Sequence, residues 1–459
     1  MTTQELLDPK SWAERTFGGV QLHDMRRTRR AVKAASNLAE NPLGSLPAQM
    51  HTWKETKALY RLLDEPDVTF AALMHPHLHQ TREQATSAPV VLMVQDTTDI
   101  DLSHRHKIRG VGQIGNERGR GFFVQTVLAV RPERREVLGC MAQEPFVRIP
   151  APEGEQRYGR RKREKRESDV WTRQVQAIGT AESTSRWVHV GDRGADMFPF
   201  FQACQATQTH FLVRAAQNRR VEVCEEEISY SLTLARSWPS QASRAFEVPA
   251  RHGHPARSTQ LQLSCGQMTL LPPRHEPRAS KDPMTVWVIR VWEEQAPEGE
   301  EPLEWILLTS VPTTTLDDAW ERVDWYQCRW LAEDYHQCLK SGCRIEHRQL
   351  QSVEGLMRLL GLLSPMAVRL LQLRALAREE PERPAQEVIE PLMLAVVAQR
   401  SGQEPASMTV GTFWTEVARL GGYLARSHDG PPGWRTIWKG WLSLQTFLDG
   451  VHFAFHLRL

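Results

Sequence analysis

Hydrophobic and polar positions along this chain follow two periods, and the change from one to the other marks its parts. Val90-Val91-Leu92-Met93-Val94-Gln95 is a continuous apolar run of strand length that ends in Asp96. Trp187-Val188-His189-Val190-Gly191 is a second, and it ends in Asp192. Residues 122–130 and 137–143 read as two further strands around the turn Arg131-Pro132-Glu133-Arg134, and Ile306-Leu307-Leu308-Thr309-Ser310 as a late buried one. Residues 220–300 alternate short strand-like runs with Pro- and Gly-rich turns, including Gln260-Leu261-Gln262-Leu263 and residues 285–292, which predicts a β-rich insertion. Helical spacing dominates elsewhere: residues 26–39, 53–63 and 167–180, then the leucine-rich chain after Gln351, with a second group over 413–424 and 434–448. Periodicity alone therefore predicts a mixed α/β protein with helical ends.

Residues 325–340 read as one helix, entered through a capping-box-like Thr315-Leu316-Asp317-Asp318 and left at Ser341-Gly342, where glycine suits a left-handed residue. At about 100° per residue, Tyr326, Arg329, Glu333 and Lys340 form one narrow stripe, and Leu316, Trp320, Val323, Leu331 and Cys338 an adjoining buried face. A carboxylate flanked by Arg and Lys suits a divalent cation beside a phosphodiester. A salt-bridged surface helix carries the same spacing. Acids at the ends of buried strands are costly unless solvated, paired or metal-bound, although Asp also commonly begins a turn there.

Asp96, Asp192 and Glu333, with Tyr326-x2-Arg329-x3-Glu333-x6-Lys340, resemble the DDE triad and Y-R-E-K signature of cut-and-paste transposases of the insertion-sequence-four family. Further matches follow in order: residues 24–30, 95–98, 121–124, 167–171, 192–196, Phe211-Leu212-Val213-Arg214, 305–310, 368–374 and 418–422. The chain departs from the family at Gly194, where the family has an acid. The resemblance implies a ribonuclease-H-like catalytic core over residues 71–350 with a β-rich insertion at about 220–300. It also implies a helical DNA-end-binding domain over 1–70 and a helical C-terminal domain over 351–459 as a candidate dimerisation region. Asp96, Asp192 and Glu333 would hold two Mg²⁺, for which Mn²⁺ would substitute, while Tyr326, Arg329, Lys340 and Arg214 would position phosphates. Trp305 would stack on a base extruded from the transposon end rather than sit in the core.

Charge sharpens the reading. The net charge is +2, but residues 1–61 hold ten Lys or Arg against six acids. The densest part is Arg26, Arg27, Arg29, Arg30 and Lys33, a helical basic face able to follow a phosphate backbone or to remain merely solvated. Arg105, Lys107, Arg109, Arg118 and Arg120 crowd a glycine-rich loop, and residues 157–166 form the most basic run, poor in apolar side chains. Seven cysteines, without paired zinc spacings, predict reduced thiols. No stretch reads as an export signal or as 18 uninterrupted apolar residues, so a cytoplasmic protein that avoids membranes is expected.

The expected partners are double-stranded DNA with terminal inverted repeats, target DNA, and a second copy of the chain on paired ends. The expected activity is strand cleavage, through a hairpin intermediate, followed by joining of 3′ ends. A nuclease that cuts without joining, or a transposase-derived regulator without catalysis, fits the same motifs less completely.

Overall fold

A computed structural model describes residues 8–456 apart from 117, 151–153, 155–165, 182–184, 225–226, 249–256, 275–280, 298, 377–380, 427–428 and 431. The basic run at 157–166 lies outside the described residues except for Arg166. The chain divides into two compact units: Met1–Thr81 with Asp99–Phe123 and Asp334–Leu459, and Arg82–Thr98 with Val124–Glu333.

The first unit is mainly helical. It begins with α1 (Pro9–Phe17), α2 (Met25–Glu40), α3 (Leu46–Gln49), α4 (Trp53–Asp64) and α5 (Phe70–Thr86). Short polar side chains start these helices where expected: the Asp24 carboxylate accepts the Arg26 N–H at 2.7 Å, and the Thr52 hydroxyl accepts that of Glu55 at 3.2 Å. The alanine-rich side of α2, with Ala31, Ala34, Ala35, Leu38 and Ala39, is buried. Arg348 is buried as well and binds this region to the later chain. Its guanidinium donates to the carbonyls of Pro42 (2.7 Å), Gly44 (2.6 Å) and Cys343 (2.7 Å) and to Gln49 Oε1 (2.8 Å). The same unit holds the C-terminal helices, including the long apolar helix Val353–Leu376. Among the described helices that one has the length and hydropathy to cross a membrane, but 83% of the relevant window is buried inside the protein, which is the signature of a core helix.

The second unit is built on a sheet. Its strands are β1 (Val90–Asp101), β2 (Gly112–Ile114), β3 (Gly119–Arg131), β4 (Glu136–Phe146), β5 (Arg186–Gly191), β6 (His210–Arg214), β7 (Arg220–Cys224), β8 (Glu227–Tyr230), β9 (Ala242–Val248), β10 (Arg257–Leu270), β11 (Met284–Glu293) and β12 (Glu304–Thr309). The end of β1 from Asp99, the β2 residues and the start of β3 belong to the first unit, where Gly112 pairs Gly121. From β3 the order runs β3-β1-β5-β6-β12-β11-β10-β7-β8, with β4 beside β3 and β9 beside β10. The pairs β1/β5 and β5/β6 are parallel, whereas β6/β12, β12/β11 and β11/β10 are antiparallel. The β-rich stretch predicted at 220–300 is thus an extension of the central sheet. Helices α6 (Asp169–Ile178) and α7 (Phe198–Ala206) contribute Trp171, Val175, Phe200 and Phe201 to a core that also takes Phe211 and Val213 from β6. This is a mixed α/β architecture around a central mixed sheet.

Four local expectations are corrected. β1 does not stop at Asp96 but continues to Asp101. Residues 325–340 are two helices and a π-turn: α9, the residues Leu316–Gln327 after α8 (Ser231–Ser237), then α10 (Trp330–Gln337), then Cys338–Gly342. The left-handed residue after them is Arg344 (φ 53°), not Gly342. Leu316, assigned to the buried face, is 39% exposed.

Candidate active site

The register of two parallel strands builds the site. Val90 pairs Arg186 and Val94 pairs Val190, and the same offset carried two residues on sets Asp96 beside Asp192. Adjacent strands lie about 4.8 Å apart, so the two acids are close enough for their charges to interact. Asp192 directly follows β5 and caps the turn Arg193–Ala195, accepting the Gly194 N–H at 2.7 Å. Asp96 accepts the N–H of Thr97 at 2.8 Å. Burial first, then the charge of Asp192, pushes the Asp96 carboxyl up to about 7, with Glu333 adding to the repulsion and Arg329 opposing it.

Glu333 comes from α10 and reaches the site because the chain breaks at Cys328-Arg329. α9 starts with a full capping box between Thr315 and Asp318, as the sequence suggests. At its end the bonds shorten to i→i+3: Arg329 N–H to Tyr326 O, Leu331 N–H to Cys328 O and Ala332 N–H to Arg329 O, at 3.0, 3.0 and 3.1 Å. Arg135 donates to the Gln327 carbonyl at 3.2 Å, taking up an acceptor that a continuous helix would have used. Arg329 then spans the acids, with Nη2 at 2.6 Å from Glu333 Oε1 and Nη1 at 4.0 Å from Asp96 Oδ2.

The other signature residues divide between the two units. Tyr326 is buried, and burial raises its phenol pKa against the pull of Arg329 and Arg214. Arg214, at the end of β6, donates to the Glu304 carbonyl at 2.8 Å; burial and the neighbouring Arg193 hold its pKa down. Lys340 belongs to the first unit, where it sits in the π-turn and pairs with Asp99 at 2.7 Å and Glu346 at 3.6 Å.

Trp305 is a core residue, which corrects the expectation that it lies outside the core. It is 6% exposed, with the rings of Phe246, Tyr326 and Trp330 against it at 5.9, 5.7 and 5.7 Å. It supports Tyr326 and Trp330, the residues on either side of the helix break.

Gly194 also has a local reason. A Cβ there would come within 3.0 Å of Asp192 Oδ1 and 3.2 Å of the Trp171 ring, so a side chain would press on the carboxylate. Two residues that sequence reasoning did not single out fix this turn. Asp196 is buried, ion-paired with Arg219, and accepts the N–H groups of Ala216 (2.7 Å) and Gln217 (2.8 Å). Their only sequence signal was the second Asp of Asp192-Arg193-Gly194-Ala195-Asp196.

In the N-terminal region Arg26, Arg29 and Lys33 are exposed and Arg30 partly so. Arg27 instead pairs with Glu65 at 2.8 Å and Asp67 at 3.1 Å and donates to the Leu22 carbonyl, so its charge is engaged inside its own domain.

Three carboxylates are hard oxygen donors suited to Mg²⁺ or Mn²⁺, and burial together with the charge of Asp192 disfavours the Asp96 carboxylate on its own. With Glu333 turned to Arg329, no three His, Cys, Asp or Glu side chains among the described residues converge closely enough to hold an ion. The donor chemistry fits a divalent cation, with Arg329 supplying the counter-charge in this arrangement.

Acids on and directly after two neighbouring parallel strands and on a following helix, beside Arg side chains, form a donor set of the kind phosphoryl transfer uses. Residues 9–68 match the transposase DNA-binding family and residues 186–368 match the transposase DDE domain family. The chain thus carries both domains of a DNA transposase and is, at that level, a DDE transposase. Asp192 and Glu333 fall inside the matched DDE stretch, whereas Asp96 precedes it. Transposase DDE domains generally use divalent metal ions.

Proposed function

We propose that this protein binds the terminal inverted repeats of its own element, cleaves them through a hairpin intermediate, and joins the 3′ ends to target DNA. It acts as a homodimer on paired ends and belongs to the insertion-sequence-four group, similar to the Tn-five transposase. Asp96, Asp192 and Glu333 are its metal ligands. The observation that carries the reading is the placement of Asp96 on β1 and of Asp192 directly after the neighbouring parallel strand β5, with Arg329 reaching both Asp96 and Glu333, in a chain matched by both transposase families.

Two Mg²⁺ ions, when bound, would make water or a 3′-hydroxyl nucleophilic and stabilise the leaving oxygen at phosphorus. The chain's own residues arrange the rest. β1 and β5 place two acids side by side, and the helix break brings the third with Arg329. Arg329, which pairs with Glu333 and reaches toward Asp96, is the guanidinium that would bind the scissile phosphate. In the second unit Arg214 adds a phosphate contact, and in the first unit Lys340 and the basic side of α2, through Arg26, Arg29, Arg30 and Lys33, are the DNA-backbone contacts.

The test uses a plasmid carrying the coding region with its flanking DNA, incubated with purified protein and Mg²⁺. Excision with hairpin-ended products, followed by insertion into a second plasmid, is expected, and Asp96→Asn, Asp192→Asn and Glu333→Gln should each abolish it while DNA binding persists. Cutting without insertion would reduce the protein to a nuclease. Binding without cutting by the wild type would make it a regulator, and cutting by any of the three variants would break the triad.

A further inference from the structure

The face of the sheet opposite the acids carries a chain of polar side chains that catalysis does not use. Side chains alternate along a strand, so Gln95 and Thr97 lie on one face of β1 while Asp96 lies on the other. Met93 pairs His189 in the register, which puts His189 of β5 on the face of Gln95. Gln95, Gln125 of β3 and His189 are all 0% exposed, amid apolar neighbours that include Met93, Val127 and Trp187.

These residues form one continuous hydrogen-bonded line across three strands. The Thr97 hydroxyl donates to Gln125 Oε1, and Gln125 Nε2 donates to Gln95 Oε1 at 3.3 Å. Gln95 Nε2 lies 2.9 Å from His189 Nδ1. Burial keeps the His189 imidazole neutral down to a pKa of about 3, so with Nδ1 accepting, Nε2 carries the proton. Nε2 is buried with no partner, and the ring lies edge-on to Phe200 at 6.3 Å. Each amide is held at both ends, so neither can flip alone. The line runs from an unpartnered buried nitrogen at one end to the residue whose N–H holds the Asp96 carboxylate at the other.

Such a line is a poor device for stability alone. Apolar side chains of the same shape usually do as well, whereas a buried network with a missing link leaves costly unsatisfied groups. Its specific effect is on register, because a one-residue slip of β1 would move Gln95 and Thr97 to the other face and carry Asp96 away from Asp192.

We infer that Thr97, Gln125, Gln95 and His189 are a buried cross-tie that holds Asp96 beside Asp192, which makes them positioning residues for the metal-binding acid. The inference rests on the reading of Asp96 as a ligand.

The test measures Mn²⁺ affinity of the full-length, DNA-free protein by calorimetry, with thermal melting and plasmid cleavage alongside. Thr97→Val keeps the shape and removes the hydroxyl; His189→Phe removes the distant acceptor without opening a void. Each is expected to weaken Mn²⁺ binding about tenfold, as loss of a group that orients a ligand does, with DNA binding close to wild type and a lowered melting temperature from the amide left unpaired. Thr97→Ser should restore affinity to about wild type, and the double variant should lose no more than either single one, because a line is cut only once. Wild-type Mn²⁺ affinity in Thr97→Val, failure of Thr97→Ser to rescue, or multiplied losses in the double variant would overturn the cross-tie. Should His189→Phe fail to fold, the two Thr97 variants decide the question. Asp96→Asn separates the two readings. If it still binds Mn²⁺ and cuts, Asp96 is no ligand and the cross-tie loses its purpose; if it is dead while Thr97→Val is normal, only the cross-tie falls.

Discussion

Arg329→Met removes the one cation seen to span the acids while keeping the stem of the side chain. The Arg329 and Asp96 side chains are 14% and 17% exposed, with the charges 4.0 Å apart. At an effective dielectric of about 20, that separation is worth about 4 kcal/mol of gross attraction. The Glu333 contact adds little, since that carboxylate is 55% exposed and such i,i+4 pairs contribute about 0.3–0.5 kcal/mol. Recovering the desolvation of Arg329 offsets part of the gross figure, which leaves an expected net loss of about 1–3 kcal/mol. The assay is urea unfolding in chelator and again in Mg²⁺. In chelator the variant should unfold earlier by that amount, because three carboxylates then repel without a counter-charge. In Mg²⁺ the gap should shrink by more than half, since the ion neutralises the same acids. Cleavage in Mg²⁺ should stay low, because the phosphate-positioning fork is gone. Equal stability in chelator, or equal stabilisation of both proteins by Mg²⁺, would refute the idea that Arg329 and the cation answer to the same three carboxylates.

Three other expectations follow from single contacts. The hydrogen bond from Arg257 holds Glu293 down to about 2, below its ordinary 4.5, so its contribution is complete above pH 4.5 and fades as pH falls toward 2. Glu293→Gln should therefore be less stable than wild type at pH 6, with the difference closing on acidification; a constant difference in pH-dependent melting would refute it. Arg29→Ala should weaken DNA-end binding and reduce its salt slope by about one, whereas Arg27→Ala should mainly lower the melting temperature, as its charge is matched by Glu65 and Asp67. The reverse pattern in fluorescence anisotropy and thermal melts would exchange the two roles. Trp305→Ala should destabilise the protein by about 3–5 kcal/mol, the usual cost of deleting a buried Trp; a loss under about 1 kcal/mol in urea would show that its ring carries no core load.

Local signals carried much of this structure. Apolar runs marked β1 and β5, Thr315 and Asp318 marked the start of α9, and Asp24 the start of α2, because strand burial and helix capping depend on residues a few positions apart. The two Asp residues beside Gln95 and Gly191 were legible for the same reason. What depended on distant partners was not. An uninterrupted periodic stripe from Tyr326 to Lys340 gave no sign of a break at Cys328-Arg329, which is accompanied by Arg135 on the Gln327 carbonyl and by Trp305 packed against Tyr326 and Trp330. Arg27 looked like its basic neighbours until Glu65 and Asp67, about forty positions away, came to it. Trp305 was one tryptophan among 15, and only the neighbouring elements decided that it is enclosed. Sequence alone determined which acids were candidates and which segments could present them. Tertiary structure decided that Asp96 stands beside Asp192, because a strand's register is settled by what lies across the sheet.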